Sequence, residues 1–174
     1  GCHWQSAADG GGMSLELIHA GFDNSTGQNW SPGTTAGGTP GEANTVAAAD
    51  IAPVIAETSH FPLVPGPSDP VYVTARITDD PGAVAAATVH WRLDGATSFT
   101  AVPMADDGRH GDTLAGDGLY GASLPVQPNG SIVEFYLSAE DGGGKTRTWP
   151  APALDQNGVP GQLTNCLYQV DATV

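Results

Sequence analysis

The chain has 174 residues, 40% of them hydrophobic, and includes Gly 24 and Pro 14. That length suits one ordinary domain, or one sandwich of about 100 residues with a smaller piece attached. Five Lys+Arg against nineteen Asp+Glu give a formal net charge of −14, which repels nucleic-acid phosphates and anionic membranes and makes divalent cations the natural counter-charge.

No apolar run approaches the roughly 20 residues of a membrane span. No signal peptide is visible; if the protein is secreted, its signal lies upstream. Residues 1–45 are sparse in hydrophobics. Met13-Ser14-Leu15-Glu16-Leu17-Ile18 reads as a strand with Leu15 and Leu17 on one face. Asn29-Trp30 precedes a turn signal at Ser31-Pro32-Gly33, and Gly37 to Gly41 is another. A segment this small buries little by itself and must pack on something else. Residues 46–52 read as a linker, in which Pro53 stops any helical turn.

From Pro53 the rhythm changes. Val71, Val73, Ala75 and Ile77 alternate with Tyr72, Thr74 and Arg76, the period of a half-buried strand. Asp79-Asp80-Pro81-Gly82 ends it with turn chemistry. Val89, Trp91 and Leu93 alternate in a strand closed by Asp94-Gly95, and a short strand follows at 99–102. Further strands are predicted at Leu119–Leu124, at 133–139 (Val133, Phe135, Leu137 and Ala139 on one side), at Thr146–Trp149 and at Leu167–Val170. Seven short strands separated by turns predict an all-β, immunoglobulin-like two-sheet sandwich over 53–174, with Trp91 in its core.

Two resemblances attach to these residues. Trp4, Ala8-Asp9-Gly10, Ser14-Leu15-Glu16-Leu17, Asp23-Asn24, Asn29-Trp30, Gly38-Thr39-Pro40-Gly41 and Asn44 make 1–45 resemble the C-terminal part of a bacterial lamin tail domain. The N-terminal strands of that domain have no counterpart here. The resemblance thus implies a chain starting inside a domain, or a fragment that another chain completes. Asp106-Asp107-Gly108, Gly111-Asp112, Ala115-Gly116-Asp117-Gly118 and Tyr120, followed by Glu134-Phe135-Tyr136 and Ala139-Glu140-Asp141, resemble the immunoglobulin-like or fibronectin-type-III-like modules of large secreted bacterial proteins. This second resemblance implies an extracellular or bacterial cell-surface, multidomain setting; it does not imply an enzymatic activity for this region.

Asp106, Asp107, Asp112 and Asp117 place four carboxylates in a Gly-rich loop. Hard cations want several such oxygens, so a Ca²⁺ site is one reading. The other is a tightly turned hairpin loop whose Asp side chains accept backbone N–H groups. Asp79-Asp80 and Glu140-Asp141 end two strands and could share an ion if loops converge at one end of the sandwich. Cys2 and Cys166 are the only cysteines. A disulfide between them would restrict the unfolded chain by about 4–5 kcal/mol; unpaired thiols or pairing to another molecule fit the sequence equally. His110 lies between Asp107 and Asp112, but the five histidines lack metal-ligand spacing. No nucleophile elbow or phosphate-binding loop is present; Gly142-Gly143-Gly144-Lys145 joins two strands and lacks a following helix. Asn24-Ser25-Thr26 and Asn129-Gly130-Ser131 are glycosylation sequons.

The expectation is a non-catalytic extracellular structural or adhesive module, calcium-stabilised, a subunit of a filament or surface assembly. Its partners would be other protein subunits or other domains of the same protein. The alternative is a carbohydrate-binding accessory module of a secreted enzyme, with surface glycans as partner. That alternative predicts a line of exposed aromatics on one sheet face, for which Tyr72, His90, Arg92 and Tyr136 are the outward positions.

Overall fold

Alternation of apolar and polar residues puts one face of each strand of the sandwich into a shared interior. The computed structural model describes residues 7–80 and 82–173. Its strands are β1 (Met13–Leu17), β2 (Trp30–Ala36), β3 (Val54–Phe61), β4 (Val71–Thr78), β5 (Val84–Leu93), β6 (Thr100–Pro103), β7 (Leu119–Leu124), β8 (Ile132–Asp141), β9 (Thr146–Trp149), β10 (Ala153–Leu154), β11 (Pro160–Gly161) and β12 (Cys166–Gln169), with one 3₁₀ turn at Gly27–Asn29. No helix among the described residues is long and apolar enough to cross a membrane.

Two antiparallel sheets form the sandwich. One runs β3-β4-β7; the other runs β12-β8-β5-β6 with β9 also on β8. β5 pairs along β8 from Val133 to Asp141. The other edge of β8 is shared: β12 takes Ile132 to Phe135 and β9 takes Leu137 to Glu140. The small β10–β11 hairpin is inserted between them. Val71, Val73, Ala75 and Ile77 from one sheet meet Val89, Val133, Phe135, Leu137 and Ala139 from the other. All are buried, Val73, Val89, Val133 and Leu137 completely. Each large side chain so buried contributes about 1.5–3 kcal/mol. Trp91 is half-buried against this core rather than inside it.

Residues 7–50 are organised differently. β1 and β2 form a two-stranded sheet. Its predicted apolar face is inverted: Leu15 is 38% exposed, whereas Glu16 is buried. The cause is a polar interior. The Glu16 carboxylate accepts from the Ser14 hydroxyl at 2.8 Å and from the Thr45 N–H and hydroxyl at 2.7 and 2.8 Å. Gly33 makes room for it, since a Cβ there would lie 2.5 Å from Glu16 Oε1. The turn predicted at Ser31-Pro32-Gly33 is instead part of β2, with Pro32 opposite Leu15 beside an irregularity in the pairing.

β3 was absent from the predicted strands. It carries a bulge between Ala56 and Ser59, where Glu57 has a φ of 51°. The bulge breaks the alternation on which strand recognition rests. Residues 46–52 form an irregular strap: the Ala48 N–H donates to the Ile18 carbonyl of the hairpin segment at 2.9 Å, and farther on Ile51 is buried. The Asp-rich stretch after β6 is a crossover from one sheet to the other, not a hairpin loop, because β6 and β7 lie in different sheets. Met104 anchors its start in the core, and Ala105 bridges to Gly121.

Candidate functional site

The crossover brings Asp106, Asp112 and Asp117 together, with one carboxylate oxygen of each within 4.8 Å of the others. Asp107 is not among them. It accepts from the Arg109 N–H at 3.0 Å, and its Oδ1 lies 3.6 Å from His110 Nδ1. Backbone donors fill the trio. Asp106 accepts from the N–H groups of Gly116, Asp117 and Gly118 at 2.6, 3.3 and 2.9 Å. Buried Asp112 accepts from Gly108 at 2.6 Å and Leu114 at 3.1 Å, and Asp117 from Leu119 at 2.9 Å. Charged acceptors for orphan N–H groups are what a long crossover without strand partners needs. Gly111 at φ 91° passes so close to β4 that a Cβ would sit 3.0 Å from Tyr72 and Thr74.

A second trio converges at one end of the sandwich. Asp50 from the strap, Asp79 just beyond β4 and Asp141 at the end of β8 place carboxylate oxygens within 4.8 Å of one another. Asp141 is 3% exposed. Its Oδ1 accepts from the N–H groups of Gly143 and Lys145 at 2.7 and 2.9 Å. Its Oδ2 is buried without a partner, as is Asp79 Oδ1. Burial, then the carboxylates of Asp141, Asp50 and Asp80, pushes the Asp79 carboxyl above the usual range. Lys145 Nζ lies 2.9 Å from Asp50 Oδ2 and donates to the Asp50 carbonyl at 2.6 Å. Sequence had raised sharing between Asp79 and Asp141; Asp50 was missed, and Asp80 and Glu140 are outside the trio.

β9 also clamps the first segment to the sandwich. The Arg147 guanidinium donates to the carbonyls of Pro53 at 2.7 Å, Gln28 at 3.0 Å and Ala52 at 3.1 Å. Burial lowers its pKa from the usual arginine value. The Gln28 amide meets both backbone groups of Ile55, donating to the carbonyl at 2.6 Å and accepting from the N–H at 3.0 Å. A side-chain amide thus covers part of the open edge of β3, as a neighbouring strand would. A cleft of about 900 Å³ lies beside this joint, lined among others by Trp30, Ile55, Arg147 and Trp149.

The four outward positions Tyr72, His90, Arg92 and Tyr136 do not form one line. Tyr72 belongs to the β3-β4-β7 sheet and the other three to the opposite one. There the rings are engaged with each other. His90 stacks on Tyr136 at 4.5 Å and 7°, Phe99 meets Tyr136 edge-on at 5.0 Å, and Arg92 lies 4.3 Å over Phe99. Arg92 also forks onto Glu134 Oε2 at 2.8 and 3.0 Å, which holds the Glu134 carboxyl below its usual range. Cys166 is half-buried, and burial pushes its thiol upward. Cys2, its expected disulfide partner, lies outside the described residues, as does Trp4.

Residues 69–145 match the family model described as conditioned medium factor 2nd Ig-like domain. No curated protein matches the chain. The match spans β4 to β8, the strands that supply most of the core and five of the six residues in the two Asp trios. The chain is all-β, and its central region is an immunoglobulin-like domain.

Proposed function

We propose that the chain is a non-catalytic extracellular structural module, in which a small hairpin unit within residues 7–45 and a strap (46–52) are fastened to an immunoglobulin-like sandwich that begins at Pro53 as one stiff body. The observation that carries this reading is the Arg147 guanidinium, whose donors reach hairpin, strap and sandwich at once. Three carbonyls held by one charged donor make a joint that resists bending. The name of the matched family sets its namesake in conditioned medium, which supports an extracellular setting. The net charge of −14 supports solubility there. The partners of such a body are its neighbours in a longer protein or assembly, and its work is to hold them apart at a fixed angle.

The test is single-molecule pulling with the chain held between two well-characterised handle domains. The expected record shows one rupture, releasing hairpin and sandwich together. Extension of the hairpin at low force, before the sandwich yields, would contradict the reading. Protease treatment of intact producing cells, with the released peptides identified by mass, tests the extracellular setting separately.

A further inference from the structure

We propose that Asp50, Asp79 and Asp141 bind one hard divalent cation, Ca²⁺, at the junction between the strap and the sandwich. The two Asp trios differ in how their carboxylate oxygens are occupied. In the crossover every carboxylate is occupied by backbone N–H groups. At the strap junction a carboxylate that is 3% exposed keeps one oxygen, Asp141 Oδ2, buried and without a donor. Asp79 Oδ1 is buried and unpartnered beside it. A buried carboxylate oxygen without a partner is costly, and two of them in one cluster of like charges are costlier still. A cation at their common centre removes both costs.

Lys145 does not do this. Its side chain is 46% exposed, and its ammonium is engaged with Asp50 through Oδ2 and the main-chain carbonyl. Three carboxylates less one ammonium leave an excess of two negative charges, which a divalent ion balances. The donors are all oxygens, the preference of hard cations. Oxygens on opposite sides of a Ca²⁺ ion at about 2.4 Å stand roughly 4.8 Å apart, and one oxygen of each of the three carboxylates lies within 4.8 Å of the other two. They come from the strap, the end of β4 and the end of β8, so an ion would fasten the strap at its Asp50 as Arg147 fastens it at Ala52. The inference leans on the extracellular reading only for the supply of ion. It is tested on purified protein, so its failure would leave the pulling experiment untouched.

The chain, stripped of metal with chelator, is melted with and without 10 mM CaCl₂, and with NaCl of equal ionic strength. Extracellular calcium sites have dissociation constants of about 10⁻⁴–10⁻³ M, so a rise in Tm of about 3–8 °C is expected with calcium. Calorimetric titration should give one ion per chain. Asp79→Asn should melt no lower than wild type without calcium, because a crowded charge is gone, and should lose the calcium-dependent rise. Asp50→Asn, at a half-exposed side chain, should lose it too. Asp117→Asn in the crossover should keep it. A wild-type rise matched by NaCl, no rise, or a rise retained in both Asp79→Asn and Asp50→Asn would overturn the proposal.

Discussion

The sandwich and the hairpin unit solve the same problem with opposite materials. The sandwich buries an unbroken apolar interior, from Val71 and Val73 across to Phe135 and Leu137. In the hairpin unit the notable buried residues are Glu16 and Asn29, 4% and 0% exposed. Asn29 Oδ1 accepts from the His19 N–H at 2.8 Å, and its Nδ2 donates to the carbonyls of His19 and Asp23 at 2.8 and 3.3 Å. Asn44 Nδ2 donates to the Leu17 carbonyl at 2.9 Å, and Trp30 Nε1 to that of Asn24 at 3.0 Å. A segment too small for an apolar core uses directed polar contacts to fix its loops. The lesson is that the hairpin unit depends on a few irreplaceable hydrogen bonds, while the sandwich depends on volume and packing.

The largest effect should come from the packed side. Phe135→Ala removes the largest of the fully buried side chains and should cost about 3–5 kcal/mol, lowering the midpoint of the whole denaturant transition. A loss below about 1 kcal/mol would show that the interior is not packed as described. Asn29→Ala should cost less, about 1–3 kcal/mol, and the loss should be local. Its signature is faster amide exchange between residues 13 and 48 with strands β4, β5 and β8 still protected. An equal loss of protection in both regions would erase the distinction.

Acid sharpens the contrast at the smallest scale. The hydroxyls of Thr45 and Ser14 hold the Glu16 carboxyl below its ordinary value of 4.5. The proton is therefore bound more weakly in the folded hairpin than in the unfolded chain. The resulting stabilisation is fully present above the ordinary value and is lost as pH falls through the lowered one. Amide exchange in β1 and β2, corrected for intrinsic rates, should quicken in that window before the sandwich strands respond. Glu16→Gln should flatten this dependence; an unchanged pH profile in that variant would assign it to another group.

Legibility followed the same division. β4 and β8 could be read because their alternation matches one buried face, residue by residue. β3 could not, because the Glu57 bulge separates adjacent buried Val54 and Ile55 from the alternating residues after it. β1 was found and its face mistaken, since periodicity assumes that the inside is apolar and here it holds Glu16. The crossover trio was visible as a run of Asp and Gly, although Asp107 leaves it and the loop spans two sheets. The strap trio was only half visible, because Asp50 stands 29 residues from Asp79 and 91 from Asp141 in the sequence and only the fold brings them together. Arg147 carried no local signal, since its acceptors are backbone carbonyls.

Hairpin and sandwich are separately built and held together through Arg147. Native-state hydrogen exchange on wild type and Arg147→Met, resolved by residue, tests this most directly. The variant should open β1, β2 and the strap at markedly lower denaturant while β4, β5 and β8 exchange as in wild type. Exchange in β1 and β2 that is identical in the two proteins would contradict it.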